Sequence, residues 1–302
     1  MPNTAKLNLM SLMDQFGDDN TCREYIEKLR WPSGVACPRC GDLSVSEIST
    51  RDQFDCNGCR YRFSVTSGTI FDNTKLPLRK WFVAIYLMLE SKKGISANQM
   101  KRTLGVSYKT AWHLCHRIRE AMEGGNFSIG PTLFGIVEVD ETLVGGKREG
   151  VGTGNTVGKH WVVGAVQRGG NIRLEAIPNV RKATLHDFIF RHVSDETEAI
   201  YTDELRAYLG IADHNTRHQT VKHIAKEWVT PDGVHTNTVE GVWSLLKRSI
   251  MGAFHKVSVK HLNRYLEELE WRFNNRDNEF MFRDLLTRLV EGEALRYHAL
   301  TS

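Results

Sequence analysis

The spacing of hydrophobic residues changes twice along the chain and divides it into three parts. Residues 41–65 contain short alternating stretches, such as Tyr61, Phe63 and Val65, with the period of two expected for β-strands. Residues 96–122 repeat apolar positions every three or four residues, as amphipathic helices do. From about residue 131 the chain returns to runs of β-branched residues and then ends in helical patterns. These patterns predict a multidomain α/β protein.

The middle part contains two capped helices around a glycine. Ser96 is a suitable N-cap for a helix that ends near Leu104, Gly105 permits a tight left-handed turn, and Ser107 caps a second helix. The second helix directs four residues inward: Ala111, Leu114, Cys115 and Ile118. This is a helix-turn-helix pattern, although a helical hairpin inside a larger core would have the same spacing.

The third part begins with three predicted strands, LFGIVEVDETLVGG, GKHWVVGAVQRGG and NIRLEAIPNV. The first strand is expected to end at Asp140, and Gly169-Gly170 forms a turn between the second and third. A helix capped near Thr184 and a short buried strand ending at Asp203 follow. A right-handed crossover would place that fourth strand beside the first and parallel to it. This order is typical of the ribonuclease H-like fold.

A later helix, HTNTVEGVWSLLKR at residues 235–248, has two distinct faces. Glu240, Ser244 and Lys247 fall at i, i+4 and i+7 and therefore share one stripe. The opposite stripe is apolar and consists of Val239, Val242, Leu246 and Ile250. The polar stripe is either an ordinary exposed Glu/Lys face or part of a functional site.

Composition indicates an ordinary globular chain with an uneven charge distribution. Its 302 residues are 41% hydrophobic and 25% charged, with a net charge of +4, which permits a nucleic-acid partner. Between Ser91 and Arg119 there is no acidic residue, whereas seven basic residues lie there. They are Lys92, Lys93, Lys101, Arg102, Lys109, Arg117 and Arg119. This composition favours DNA binding by the helix-turn-helix over the hairpin alternative.

A DNA-binding helix-turn-helix uses the first turns of its second helix in the major groove. We therefore expect Tyr108, Lys109 and Thr110 to lie near bases or phosphates. Arg117 and Arg119, farther along the helix, are predicted to contact phosphates.

The chain has neither the length of apolar sequence needed to cross a bilayer nor a recognisable secretory signal. Its longest apolar run, Trp81–Leu89, is well short of the roughly 20 residues that a membrane span requires. We expect a cytoplasmic protein without a membrane partner.

Four of the six cysteines form two C-x2-C pairs, Cys37 with Cys40 and Cys56 with Cys59. Residues 41–55 between the pairs suit the strands of a zinc ribbon, and four thiolates can enclose one tetrahedral Zn²⁺. A site closed by four protein ligands is structural, so we expect no catalysis there. Cys22 and Cys115 are predicted to be small core residues.

In the predicted fold Asp140, Asp203 and Glu240 would meet at one point. Three carboxylates repel one another unless a cation lies among them, and two Mg²⁺ (or Mn²⁺) ions would suit such a site. Asp140 would bridge the metals, and Asp203 and Glu240 would each bind one. Alternatively, Asp203 could cap a helix and Glu240 could favour its own helix N-terminus.

Other polar residues near these acids are weaker candidates. Glu141 should point to the opposite strand face from Asp140, and Glu138 lies two residues deeper, so neither is predicted to bind metal. The histidines at 214, 218, 223 and 235 match no standard zinc spacing. His235 and Asn237 are instead expected to line the site or contact DNA.

Read in order, the motifs resemble bacterial insertion-sequence transposases of the DDE class that carry an N-terminal zinc ribbon, the ISXO-like group. The motifs are the ribbon, GTIFDNTKLPLRKW, GISANQMKRTLGVSYKTAWHLCHRIREAM, VDETLVGGK, YTDELRAY, HTNTVEGVWSLLKR and WRFNNR. The resemblance implies catalytic roles for Asp140, Asp203 and Glu240, with Lys247 as the trailing basic residue near the DNA phosphate. Leu143 stands where relatives usually have Tyr, and some relatives have Asn in place of the third acid.

The resemblance implies a Mg²⁺-dependent enzyme that binds terminal inverted repeats, cleaves the element ends and joins the freed 3′-hydroxyl to target DNA. It also implies a nucleoid-associated bacterial protein that works as a dimer or larger assembly on DNA. Two rival functions remain: a nuclease that cuts without joining, and a DNA-binding regulator without catalysis. The predicted domains are an N-terminal helix and zinc ribbon at 1–75, the helix-turn-helix at 76–126, and the catalytic domain with C-terminal helices at 131–302.

Overall fold

The computed structural model describes residues 7–123, 132–145, 158–212, 216–221 and 234–301. The chain forms two compact units, one made of Met1–Gly125 with Asp277–Ser302 and the other of Asn126–Arg276. Within the described ranges, no helix is both long and apolar enough to cross a membrane.

The first unit combines a small sheet with helices from both ends of the chain. Its strands are β1 (Val45–Ile48), β2 (Gln53–Cys56) and β3 (Arg62–Phe63), joined in antiparallel order. Its helices are α1 (Leu9–Gln15), α2 (Asp19–Arg30), α3 (Leu78–Glu90), α4 (Ala97–Leu104), α5 (Tyr108–Met122), α9 (Met281–Glu291) and α10 (Tyr297–Thr301).

Helix α9 belongs to the first unit because its apolar stripe is buried there. Phe282 packs against Phe16 and Phe82, with ring centroids 6.2 and 5.7 Å apart. Leu285 and Leu289 on the same helix are fully buried. The sequence analysis placed residues 277–302 with the third domain, so the structure differs at this point. A local apolar period identifies a buried helix face but not the surface that covers it.

The two helices of the middle part begin and end as predicted. Ser96 Oγ accepts a hydrogen bond from the Gln99 N–H at 3.1 Å, and Ser107 Oγ accepts one from the Thr110 N–H at 3.1 Å. Gly105 ends α4 with a φ of +62°, a conformation that glycine adopts without strain. The two capped helices and the glycine turn between them are therefore present as predicted.

The second unit is built on a five-stranded mixed sheet. Its strands are β4 (Ile136–Val144), β5 (His160–Gln167), β6 (Ile172–Ile177), β7 (Ala199–Thr202) and β8 (Arg217–Thr220); its helices are α6 (Lys182–His192), α7 (Asn237–Ser249) and α8 (Leu262–Asn274). The sheet order is β6-β5-β4-β7-β8. Strands β4, β5 and β6 form an antiparallel meander, and β7 and β8 run parallel to β4. This topology confirms the ribonuclease H-like fold; the polar strand β8 is an addition to the prediction.

Alternation along β4 separates the two faces of the sheet. Val137 and Val139 lie in the core cluster with helix α6, whereas Val144 lies in the cluster with helices α7 and α8. Because neighbouring side chains alternate, Glu138 and Asp140 share the α7 face. Asp140 is the predicted end of this strand, but pairing with β5 continues it to Val144.

Candidate active site, zinc centre and DNA-binding helix

Asp140 and Asp203 are brought together by parallel pairing of β4 with β7. The register pairs Val137 with Ile200 and Glu138 with Tyr201. Continued by two residues, it places Asp140 beside Asp203, just after β7 ends at Thr202. Two acids that are far apart in the sequence therefore emerge at adjacent strand positions, as predicted from the strand order.

Electrostatics connect Glu240 with this pair. The pKa of Asp140 is raised to about 6, chiefly by burial, and the negative charges of Asp203 and Glu240 contribute to this shift in the same direction. A hydrogen bond from the Trp243 indole opposes this shift. Glu240 lies in the first turn of α7 and is half-buried. The three predicted acids thus interact in one cluster.

Glu141 contributes a further charge close to the cluster. Its carboxylate accepts a hydrogen bond from the Tyr208 hydroxyl at 2.6 Å, on the α6 face of the sheet. Burial raises the pKa of Glu141 to about 7, and the charges of Asp203 and Asp140 act in the same direction. The alternation of side chains along β4 correctly predicted the sheet face on which Glu141 lies. It did not predict the electrostatic interaction of Glu141 with Asp140 and Asp203.

Helix α7 is fixed to Asp140 by a residue that the sequence analysis did not single out. Trp243 Nε1 donates a hydrogen bond of 2.8 Å to Asp140 Oδ2. Strand β5 leaves room for the indole because Gly164 is the partner of Asp140 across the strands. A Cβ atom at Gly164 would lie 2.5 Å from Trp243 Cη2. The signal in the sequence was a single glycine inside an otherwise branched strand.

The other acids and bases near the cluster have distinct surroundings. Asp203 Oδ1 accepts a hydrogen bond from the Leu205 N–H at 2.9 Å within a turn. The short 3-10 helix that follows, Arg206–Tyr208, has Leu205 as its N-cap and no side-chain capping bond, so Asp203 does not cap it. Glu138 is completely buried, and both its oxygens accept hydrogen bonds, which leaves it no ligand role. His235 Nδ1 lies 3.2 Å from Glu138 Oε1. Lys247 is exposed on α7, and so is Asn237 at its start.

The two C-x2-C pairs converge as a zinc ribbon requires. Cys37 Sγ lies 3.7 Å from Cys59 Sγ, and Cys40 Sγ lies 3.6 Å from Cys56 Sγ. A tetrahedral ion with Zn–S bonds of about 2.3 Å separates its sulfurs by about 3.8 Å. The four thiols therefore fit structural Zn²⁺. The two remaining cysteines, Cys22 and Cys115, are buried core residues, as predicted.

The zinc and carboxylate sites differ in how tightly their ligand atoms are grouped. All four thiol sulfurs lie within 4.8 Å of one another. Among the described residues, no other group of at least three His, Cys, Asp or Glu side chains is this compact. The three carboxylates are therefore spread more widely than ligands that enclose one ion. His214 and His223 lie outside the described residues.

The start of helix α5 presents the polar residues predicted to meet DNA. Tyr108, Lys109 and Thr110 are all exposed. Lys109 and Thr110 border a cleft of about 740 Å³ that is also lined by Arg296 and Tyr297 from the C-terminal segment. Lys109 Nζ lies 4.3 Å from the centre of the Tyr297 ring. The position of this segment beside helix α5 was not predicted from the sequence.

Arg117 and Arg119 do not have the exposed positions that phosphate contacts require. Both are buried, at 6% and 2% exposure. Arg117 donates hydrogen bonds to the backbone oxygens of Ile70 and Asp72, and its guanidinium lies 4.9 Å from the Trp81 ring centre. The predicted phosphate contacts are wrong for these two arginines, because basic composition does not report which helix face is covered.

Comparison with known families agrees with the architecture. Residues 132–274 match the ISXO2-like transposase domain, and residues 17–62 match the transposase zinc-ribbon domain. These matches confirm the resemblance that the motifs predicted.

Individual proteins and solved structures that are similar to this chain cover different shares of it. A protein in the transposable element ISH50 of Halobacterium salinarum is 29% identical over 279 residues, which cover 85% of this chain and 91% of that protein. A transposase-like protein of Haemophilus influenzae is 29% identical over 116 residues, covering 38% and 90%. Among solved structures, the Mos1 strand transfer complex has 13% identity and a TM-score of 0.29, covering 70% of this chain and 75% of that chain.

Proposed function

Because this chain belongs to the ISXO2-like transposase family, we propose that it binds the terminal inverted repeats of an insertion element, cleaves their ends and joins them to target DNA. The observation that carries this proposal is the convergence of Asp140, Asp203 and Glu240. Their charges interact across β4, β7 and α7, three elements that are distant in the sequence.

The donor set at this cluster fits hard divalent cations. Carboxylate oxygens are the preferred ligands of Mg²⁺, and a nearby positive charge would favour the ionised form of Asp140, whose pKa is raised to about 6 chiefly by burial and also by the charges of Asp203 and Glu240. When bound, Mg²⁺ supplies activation of the attacking oxygen and stabilisation of the leaving oxygen. Asp140, together with Asp203 and Glu240, would hold these ions.

The chain's own residues orient this site. Trp243 occupies Asp140 Oδ2 and thereby fixes the carboxylate plane, while the Leu205 N–H fixes Asp203. Lys247, two turns beyond Glu240, offers an exposed cation for a phosphate beside the scissile bond. Both proposed reactions use this one arrangement.

Each step exchanges one phosphodiester bond for another bond to phosphorus. In the first, a water oxygen bonds to phosphorus at the element end, and the 3′-oxygen leaves and takes up a proton. In the second, that 3′-hydroxyl loses its proton and attacks a target phosphodiester, whose own 3′-oxygen leaves. No oxidant or high-energy cofactor is required, because the number of phosphodiester bonds is conserved in the joining step.

End recognition is proposed to use the exposed start of α5. Tyr108, Lys109 and Thr110 would approach bases or phosphates, while Arg117 and Arg119 serve the core. Since the two ends of an element must be held together while they react, we expect a dimer or larger assembly on DNA.

The test is a cleavage and joining assay with purified protein, Mg²⁺, a labelled element-end duplex and a supercoiled target. Glu240→Gln should remove joined product and lower cleavage about 10²- to 10³-fold, while end binding is retained. Glu196→Gln, at an exposed acid on the same unit, serves as the matched control and should retain activity. Cutting without joining would identify a nuclease, and binding without either reaction would identify a regulator.

A further inference from the structure

Glu138 is a completely buried carboxylate that the proposed reaction does not use. It lies on β4 two residues before Asp140 and faces helix α7. An ionised side chain without water is strongly destabilising unless its oxygens are paired. The partners of Glu138 therefore indicate what this residue is for.

Glu138 caps the first turn of α7 from a neighbouring strand. Its Oε2 accepts hydrogen bonds from the backbone N–H of Thr238 at 2.8 Å and of Val239 at 3.1 Å. Its Oε1 accepts the Thr238 hydroxyl at 2.8 Å. The helix's own N-cap residue, Thr236, makes no side-chain capping bond. Glu138 thus satisfies helix donors that are otherwise without intrahelical partners.

Arg168 completes the arrangement on the other side of Glu138. Its Nε donates to Glu138 Oε1 at 2.8 Å, and another guanidinium nitrogen donates to the His235 backbone oxygen at 3.0 Å. The guanidinium also lies 4.7 Å from the Tyr201 ring centre on β7. One charged pair therefore connects β4, β7 and the segment that leads into α7.

These contacts lie immediately before Glu240. Thr238 and Val239 precede it in the chain, and Trp243 binds Asp140 one turn after it. Strand β4 therefore holds α7 on both sides of Glu240, through Glu138 and through Asp140. The position of the third acid relative to the first is set by these two attachments.

We propose that Glu138, paired with Arg168, is a positioning residue that places the Glu240 carboxylate for divalent-cation binding. This rests on the proposed function, because it presupposes a cation site at Asp140, Asp203 and Glu240. Glu138 itself binds no cation, since both its oxygens are occupied. Glu138 affects cation affinity indirectly, by positioning Glu240.

The test measures Mn²⁺ affinity of the zinc-loaded full chain from the loss of the free-Mn²⁺ electron paramagnetic resonance signal. Glu138→Gln should weaken Mn²⁺ binding about tenfold or more, as second-layer partners of metal ligands commonly do. In a protein that already carries Glu240→Gln, the Glu138→Gln change should alter the Mn²⁺ affinity less than about twofold. An unchanged affinity, or an equal loss in both backgrounds, would overturn the positioning role.

A matched control separates positioning from general stability. Glu270 also holds a helix to a strand, through Arg173 at 3.0 Å and the Leu174 N–H at 3.0 Å. Glu270→Gln should lower the melting temperature without weakening Mn²⁺ binding. If Glu138→Gln does not fold, Thr238→Val removes only the hydroxyl donor to Glu138 and should give a smaller loss of affinity in the same direction.

Asp140→Asn distinguishes the two proposals. If it leaves Mn²⁺ affinity unchanged, the cation site of the proposed function is wrong. If it weakens Mn²⁺ binding but Glu138→Gln and Thr238→Val do not, only the positioning role is wrong.

Discussion

The zinc ribbon and the carboxylate cluster are two charged sites built in opposite ways. The ribbon draws its four thiols from 23 consecutive residues, 37–59, and holds the sulfurs within 4.8 Å of one another. The carboxylates come from residues 140–240 and are more widely spread. Closed coordination suits a structural ion, whereas a cation that must also contact substrate needs open positions.

The two sites also differ in what holds them without a metal. Cysteines of the ribbon pack next to Phe54 and Phe63 in a small hydrophobic core. The carboxylates are held against their mutual repulsion by the sheet and by Glu138 and Trp243. Metal is thus expected to contribute folding free energy in the ribbon and function in the cluster.

The largest effect should follow from loss of zinc. Cys56→Ser should abolish zinc binding and unfold the ribbon, because structural zinc supplies about 10–16 kcal/mol of apparent binding free energy. Zinc content and amide hydrogen exchange over residues 37–63 would measure both outcomes. Cys115→Ser changes a buried cysteine outside the site and should retain zinc. If the ribbon amides stay protected from hydrogen exchange without zinc, the ribbon does not depend on metal for folding. The expected difference between the two sites would then be wrong.

A smaller effect of opposite sign is expected at the carboxylates. The pKa of Asp140 is raised from 3.8 to about 6. Between these values the folded chain binds more protons than the unfolded chain, so stability falls as pH rises through this window. Without Mg²⁺, Asp140→Asn should therefore stabilise the protein at pH 8, by at most about 3 kcal/mol, and have little effect at pH 4.

Urea unfolding at the two pH values would measure this difference, in zinc-containing buffer so that the ribbon remains folded. Added Mg²⁺ should stabilise the unsubstituted protein more than the variant at pH 8. If Asp140→Asn destabilises the protein equally at both pH values, charge repulsion does not define this site.

The smallest expected effect is a change in DNA affinity at helix α5. Like the ribbon, this helix was predictable from the local sequence. Lys109→Ala should weaken binding of element ends and reduce the salt slope of log affinity by about one, as loss of a phosphate contact does. Fluorescence anisotropy across a salt series would measure the slope. Lys28→Ala, at an exposed position on α2, is the control. An unchanged slope would exclude Lys109 from the interface.

Local signals in the sequence predicted most of the fold. Ser96, Gly105 and Ser107 act within a few residues, so caps and the turn were predictable. Strand β8 was missed because Arg217–Thr220 has no apolar alternation and is stabilised by its pairing with β7. The location of α9 was missed because Phe282 marks a buried face without identifying its partner.

The candidate site was predictable in its acids but not in its supports. The strand order was sufficient to bring Asp140 close to Asp203, because a right-handed crossover places β7 beside β4 and parallel to it. Glu138 and Arg168 pair across 30 positions, and no local pattern reports such a contact. Arg117 illustrates the converse error, since a basic run suggested exposure where the fold required a buried donor.

Gly164 has a consequence for reading related sequences. Alanine differs from glycine by a single nucleotide in the codon, yet its methyl group would occupy the space of the Trp243 ring. Such a copy would keep Asp140, Asp203 and Glu240 intact while losing the Trp243–Asp140 bond, one of the two attachments that hold α7 to β4. Inspecting the three acids alone would score it as functional. A survey that separates active from decayed copies should therefore include the glycine opposite the first acid.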